Sequence, residues 1–188
     1  EDAQEVARRM ASVIGTRIGW KDMETDVVWP GRSMDRTNWS GAELVLSAAH
    51  NSESLSHDLG RLGSERHVLV VGMTQKEDLS ESIEPLLRTE GRIRTIVTEV
   101  HGGRTPSVHA EHLSESLSAD SGEPPLIIKE PIEAIDTASR EASKEGCIVF
   151  VTGSVYLVGQ AVEEMVSREN GNLWEYLEAH RPREQTEV

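Results

Sequence analysis

A histidine and two helix-capping residue types follow the first strand-like run of the sequence. The run at 43–47 is short and apolar, and the chain continues Ala48-Ala49-His50-Asn51-Ser52. In an open parallel sheet, ligands bind beyond the carboxyl ends of the strands. A helix that begins here would direct backbone N–H groups at an anionic ligand, and His50 would add a charge. The pattern predicts either an anion site at His50 or a simple helix cap by Asn51 or Ser52.

Small residues follow the last strand-like run in a similar way. Residues 147–151 lead into Thr152-Gly153-Ser154-Val155-Tyr156, where a helix is expected to open directly at the strand end. Backbone N–H groups and the Ser154 hydroxyl would suit a carboxylate or a phosphate there. The alternative is a tight turn in which Gly153 only allows close packing.

The two loops between these segments carry weaker signals. Lys76 and Arg104 each follow a predicted strand and are candidate anion contacts, although a solvated loop explains Lys76 better. His109 and His112 are three residues apart, whereas the zinc motif HExxH needs a spacing of four. We therefore expect no metal site in this chain.

Strand-like and helix-like segments alternate between these candidates, which predicts an α/β fold. Each strand-like run is short and rich in branched residues, as in strands covered on both faces. Such alternation predicts a mostly parallel sheet with helices on both faces. The predicted strands are 43–47, 67–71, 94–98, 126–129 and 147–151, and the predicted helices are 52–62, 78–89, 107–119, 131–144 and 154–168.

The composition and the absence of known motifs argue against several classes of function. The 188 residues carry a formal net charge of -14, which disfavours nucleic acid and anionic membranes as partners. No apolar run is long enough to span a membrane, and the single cysteine, Cys147, agrees with a cytoplasmic location. The chain contains no GxxxxGK[ST], GxGxxG or GxSxG motif. We therefore expect no enzymatic turnover from these residues alone.

Three segments, in order, resemble the C-terminal domain of the folylpolyglutamate synthase/dihydrofolate synthase family, which belongs to the Mur ligase superfamily. The family pattern reads WPGR, then DGAHN, then GS-x-YLVG, and the resemblance covers roughly residues 29–165. The matching segments here are Trp29-Pro30-Gly31-Arg32, Ser47-Ala48-Ala49-His50-Asn51 and 151–159.

This resemblance implies a Rossmann-like domain from an ATP-dependent ligase. In that family, an N-terminal P-loop domain carries ATP and Mg²⁺, and glutamate attacks an acyl phosphate of a folate-type substrate. The implied layout is the tail of a central domain and a hinge at 1–28, the ligase C-terminal domain at 29–168, and a C-terminal helix and tail at 169–188. The N-terminal and central ligase domains would then be partners outside these 188 residues.

The resemblance also assigns roles to individual residues. Arg32 and His50 match nucleotide-binding positions, and Ser154 with Tyr156 matches the turn that faces glutamate. Ser47 stands where the family has an aspartate that holds ribose hydroxyls, so we expect weak ATP binding that Ser47→Asp would tighten. This departure on the nucleotide side leaves two alternatives open. The first is a non-catalytic or degenerate module on the same fold, and the second is a Mur-type ligase for a peptidoglycan precursor.

Overall fold

The computed structural model describes residues 31, 34, 36–118 and 123–168. The predicted segments at 1–28 and 169–188, and the nucleotide-binding candidate Arg32, lie outside the described residues. No helix in the described part of the chain combines the length and the apolar character needed to cross a membrane.

Six strands form one sheet in the order β1-β2-β6-β3-β4-β5. All neighbouring pairs are parallel except β1 with β2, so the predicted α/β class and mostly parallel sheet are confirmed. The predicted strands recur as β2 to β6 with ends shifted by a few residues. The strands are β1 Arg36–Trp39, β2 Ala42–Leu46, β3 His67–Val71, β4 Arg92–Val97, β5 Leu126–Ile127 and β6 Ile148–Thr152.

Four helices connect the parallel strands, as predicted, and a fifth follows β6. The expected start of the third helix at 107 is wrong by three residues, because the Ser107 hydroxyl instead accepts the Val100 N–H at 2.8 Å. The helices are α1 Ser52–Leu62, α2 Leu79–Leu87, α3 Ala110–Ser118, α4 Pro131–Glu145 and α5 Val155–Arg168.

The sheet separates two apolar clusters, which places helices on both faces. Successive residues of β3 point to opposite faces, as the period of a strand requires. Val68 and Val70 pack in the cluster that contains α4 and α5. Leu69 and Val71 pack in the cluster with α1, α2 and α3. Because β3 is buried on both faces, its sequence is continuously apolar rather than alternating.

The edge strand β1 is the element that the sequence pattern did not predict. Ser40 and Gly41 both have positive φ, 51° and 89°, in the two-residue turn between β1 and β2. This conformation suits a tight antiparallel hairpin. Trp39 anchors the hairpin: its Nε1 donates to Asp136 Oδ1 of α4 at 2.6 Å, and the Arg168 guanidinium of α5 lies 4.5 Å from its ring centroid.

Candidate functional site

The carboxyl ends of β2 and β6 lie side by side, so the two loops singled out in the sequence are neighbours. The Ser47 N–H donates to the Val151 carbonyl at 2.9 Å, and the Gly153 N–H donates to the Ala49 carbonyl at 2.9 Å. These two bonds extend the parallel pairing past the strands themselves. They fix the loop that contains His50 against the turn that opens α5.

A cleft of about 390 Å³ opens at this edge, between the β2 exit loop and the first half of α1. Its walls include Gly31, residues 48–51, and Ser54, His57 and Asp58 of α1. The location agrees with the general rule that ligands of open α/β sheets bind beyond the carboxyl ends of the strands.

Helix α1 begins at this cleft with a reciprocal capping box. The Asn51 side chain accepts the Ser54 N–H at 2.9 Å, and the Ser54 hydroxyl accepts the Asn51 N–H at 3.3 Å. Asn51 therefore caps the helix, as its residue type predicts.

His50 is exposed at the mouth of the same cleft. Its Nδ1 lies 2.9 Å from the Ala48 carbonyl oxygen. Since a carbonyl can only accept, Nδ1 carries the proton and donates, and Nε2 is left as an acceptor in the neutral ring. Protonation would convert Nε2 to a donor for an anion.

Ser47, predicted to contact the nucleotide, is fully buried in the structure. Its hydroxyl donates to Asp58 Oδ2 at 2.7 Å and accepts from the Ala49 N–H and the Thr152 hydroxyl, both at 3.2 Å. One donated and two accepted bonds use the whole capacity of a serine hydroxyl. A direct contact between Ser47 and a nucleotide stays an untested prediction, and this saturation argues against it.

The Ser47 network also changes the expected effect of an aspartate at this position. An introduced carboxylate would lie against that of Asp58, and two like charges in contact disfavour each other's ionised state. We therefore no longer expect Ser47→Asp to tighten nucleotide binding.

Gly31 lies at the rim of the cleft. It has φ +78°, and its carbonyl accepts the Ala48 N–H at 2.7 Å. A Cβ at Gly31 would lie 2.9 Å from Val158 Cγ1 and 3.1 Å from the Ala48 nitrogen. The glycine is thus required by both backbone conformation and close approach.

Ser154 and Tyr156, the predicted glutamate contacts, lie at the start of α5 and do not line the cleft. Ser154 is nearly buried, and its Oγ accepts the Tyr156 N–H at 3.2 Å, so it caps α5. The Tyr156 hydroxyl accepts the Arg104 N–H at 3.5 Å. Two candidates from distant parts of the sequence, Tyr156 and Arg104, are therefore in contact.

Lys76 lies in the loop after β3, away from the cleft residues. This loop is tied to the loop after β4, because the Gln75 N–H donates to the Pro106 carbonyl at 2.9 Å. Lys76 is half-buried and Arg104 is exposed. Their roles as anion contacts stay predictions.

A metal site is not found among the described residues, where no group of three or more His, Cys, Asp or Glu side chains is suitably placed. His109 lies 3.7 Å from Glu99 with its side chain 80% exposed, and His112 is also exposed.

Sequence reasoning missed Asp58, a buried acidic residue of the cleft. The inward face of α1 comprises Leu55, Asp58 and Leu62. An acidic residue within an otherwise apolar helical stripe was the available signal, since carboxylates are rarely buried without partners.

Residues 32–164 match the family model described as dihydrofolate synthetase, C-terminal domain. The chain belongs to this family. The family membership confirms the resemblance found in the sequence motifs. No curated protein sequence matches the chain.

Solved structures of related ligases share the fold of this family member. Escherichia coli FolC in complex with ADP, without folate substrate, superposes with a TM-score of 0.63 at 22% identity, covering 78% of this chain and 34% of that one. Mycobacterium tuberculosis folylpolyglutamate synthase complexed with ADP and AMPPCP gives 0.64 at 20% identity, covering 80% and 36%. The Yersinia pestis bifunctional enzyme complexed with AMPPNP and Mn ion gives 0.58 at 20% identity, covering 74% and 32%. The chain spans about a third of the length of these structures.

Proposed function

We propose that this chain is the nucleotide-contacting C-terminal domain of an ATP-dependent ligase that adds glutamate to a folate-type carboxylate. The observation that carries the proposal is the cleft beside β2, which lies at the carboxyl edge of the sheet in a member of the dihydrofolate synthetase C-terminal family. The relatives of known structure were solved with ADP or ATP analogues.

The cleft has the features that nucleotide binding requires. Helix α1 presents its N-terminus, where the macrodipole favours a phosphate. His50 stands at the same end with Nε2 available to a ligand. Arg32 follows Gly31 directly in the sequence, and its guanidinium would offer paired donors to phosphate or ribose oxygens.

Glutamate is assigned to a second subsite, at the start of α5. Ser154 accepts a backbone N–H with its Oγ and so retains its own proton to donate to a carboxylate. Tyr156 donates its N–H to Ser154, and its hydroxyl contacts Arg104, so Tyr156 and Arg104 would complete the contact. Closure of this domain over the rest of the ligase would exclude water from the acyl phosphate.

ATP and Mg²⁺ are assigned chiefly to a P-loop domain outside these residues. Within the described ranges, no side-chain cluster suits a metal ion. The role proposed for this chain is to contact the nucleotide and glutamate. Mg²⁺, held by the P-loop domain, would offset the charge of the phosphates.

The first test is an NMR titration of the 188-residue chain with ADP. We expect binding at millimolar concentration or weaker, because a few exposed contacts must offset the loss of ligand freedom. The largest shifts should come from residues 48–54, and absence of saturable shifts would contradict the nucleotide role.

The second test measures turnover in the longer protein that carries this chain with its upstream domains. We expect ATP-dependent incorporation of labelled glutamate into a folate-type acceptor. Incorporation into a peptidoglycan precursor instead would favour the Mur-type alternative. ADP binding without turnover on either acceptor would favour the non-catalytic module.

A further inference from the structure

Asp58 is the only Asp or Glu that is buried among the residues the structure describes. It nevertheless lines the cleft beside β2, so its carboxylate is reachable from that side. Burying a carboxylate is costly unless hydrogen bonds compensate it. Asp58 lies between Leu55 and Leu62 on the buried face of α1, where an apolar side chain would pack in the core without this cost.

A hydrogen-bond chain from the sheet holds this carboxylate in place. Thr152 of β6 donates to the Ser47 hydroxyl at 3.2 Å, and Ser47 donates to Asp58 Oδ2 at 2.7 Å. On the other side, His57 Nδ1 lies 3.0 Å from Asp58 Oδ1, with the His57 side chain 70% exposed. The carboxylate is therefore oriented by buried groups whose own positions are fixed by the strands.

The hydrogen-bonding capacity of Asp58 is not exhausted by these partners. A carboxylate offers about four lone-pair positions, and among the described residues Ser47 and His57 occupy two of them. A ligand in the cleft can therefore donate two hydrogen bonds to Asp58. Two adjacent hydroxyl groups can donate such a pair of hydrogen bonds, and acidic residues of dinucleotide-binding folds bind ribose hydroxyls in this way.

The arrangement along α1 gives the cleft two chemically different ends. The N-terminus of α1, beside His50, favours negative charge. Asp58 lies six residues beyond Ser52, about 9 Å along the helix, and favours hydrogen-bond donors. A ligand with a phosphate at one end and hydroxyls at the other matches both ends.

We propose that Asp58, oriented through Ser47, is the residue that selects the ribose hydroxyls of a nucleotide in this cleft. The inference rests on the proposed nucleotide role and adds the residue that carries sugar specificity. It assigns to α1 the acidic contact that a saturated Ser47 hydroxyl does not make.

The experiment compares ADP with 2′,3′-dideoxy-ADP, titrated into the 188-residue chain in the presence of EDTA and followed by NMR. We expect the wild-type chain to bind ADP at least about tenfold more tightly than the dideoxy compound, as hydrogen bonds to a charged group imply. Asp58→Asn should abolish most of this preference, with little effect on the dideoxy compound. Glu53→Gln, at another residue of the same cleft, should preserve the preference.

The outcomes separate the role of Asp58 from the nucleotide role of the chain. Equal affinity of the wild-type chain for the two compounds would overturn the role of Asp58 and leave the nucleotide role standing, and this comparison needs no variant. A preference that survives in folded Asp58→Asn would also overturn it. Absence of ADP binding to the wild-type chain would overturn the nucleotide role and this inference together.

Discussion

A Cβ atom at Gly153 would lie 2.6 Å from the carbonyl oxygen of Gly72. The two glycines follow adjacent parallel strands, β6 and β3, and the Gly72 N–H donates to the Thr152 carbonyl at 3.3 Å. Gly153 also has φ +102°, a conformation that side-chain-bearing residues rarely adopt. Close packing of the two strand exits, and not only the opening of α5, therefore requires glycine at this turn.

Gly153→Ala should strongly destabilise the chain. The backbone conformation alone costs about 1–3 kcal/mol for a non-glycine residue, and the contact with Gly72 adds to this. Gly159→Ala is the matched control, because Gly159 is exposed in α5 and its Cβ would meet nothing within 4 Å. That variant should gain up to about 1 kcal/mol in unfolding free energy. Urea denaturation of both variants checks the pair, and similar effects would contradict the packing argument.

Ser47→Ala should lower the unfolding free energy by about 1.5–3 kcal/mol, because it removes a hydrogen bond to a buried carboxylate. Ser116→Ala is the control, since Ser116 is half-buried in α3 and its hydroxyl donates to the His112 carbonyl rather than to a carboxylate. That change should be nearly neutral. A loss in Ser47→Ala no greater than in the control would show that the network stabilises little.

The strand whose predicted limits the structure reproduces, β3, is buried on both faces. Residues 67–71 form β3 with the predicted limits, because His-Val-Leu-Val-Val has no other stable environment than a covered sheet. Strand β1 was missed because its burial is confined to Trp39, and its formation depends on the turn at Ser40 and Gly41. Short hairpin strands carry little apolar signal, so turn chemistry has to reveal them.

The candidate site was predictable in location but not in its inner contacts. Residue order placed His50 and Ser154 at strand exits, and the parallel pairing of β2 with β6 made them neighbours. The bond between Ser47 and Asp58 joins residues eleven positions apart through the packing of α1. The contact of Tyr156 with Arg104 depends likewise on how loops meet in space. Local spacing carries no information on such pairs.

His67 predicts a pH dependence of stability. The side chain is fully buried, and burial lowers its pKa below the ordinary value of 6.5, outweighing the hydrogen bond from Nδ1 to the Glu65 carbonyl. The unfolded chain then binds more protons than the folded chain as pH falls below about 6.5. The His67 contribution is therefore present above that pH and is lost as pH falls toward the lowered pKa of the folded state.

The expected signature is a drop in unfolding free energy as the pH falls below about 6.5, with a slope of at most about 1.4 kcal/mol per pH unit from one proton. His67→Asn should flatten this part of the profile. His112→Asn, at an exposed histidine, should leave it unchanged. Parallel profiles for wild type and His67→Asn would show that His67 does not carry the effect.

The 188-residue chain alone should neither hydrolyse ATP nor ligate glutamate. Its sequence contains no P-loop motif, and backbone N–H groups of such a loop are what hold the transferred phosphates. The measurement is phosphate release and labelled-glutamate incorporation by the purified chain. Turnover that follows the chain through chromatography would contradict the prediction.

Ser154→Ala tests the glutamate subsite, and two effects must be separated. Loss of the hydroxyl removes the cap of α5, which costs about 0.5–2 kcal/mol in stability. If the same hydroxyl also binds a glutamate carboxylate, loss of this hydrogen bond to a charged group weakens glutamate binding by roughly 10- to 150-fold. The effect should appear mainly in the KM for glutamate, provided that the contact is equal in the ground and transition states.

A second capping residue separates these effects. Asp78 caps α2 by accepting the Glu81 N–H at 2.9 Å, so Asp78→Ala should cost similar stability. The measurement is steady-state kinetics of the longer protein that carries this chain, with glutamate varied and ATP saturating. We expect Ser154→Ala to raise the KM for glutamate and Asp78→Ala to leave it unchanged. An unchanged KM and kcat in Ser154→Ala would restrict Ser154 to capping α5. An equal rise in both variants would assign the effect to lost stability, because Asp78 is not among the proposed glutamate contacts.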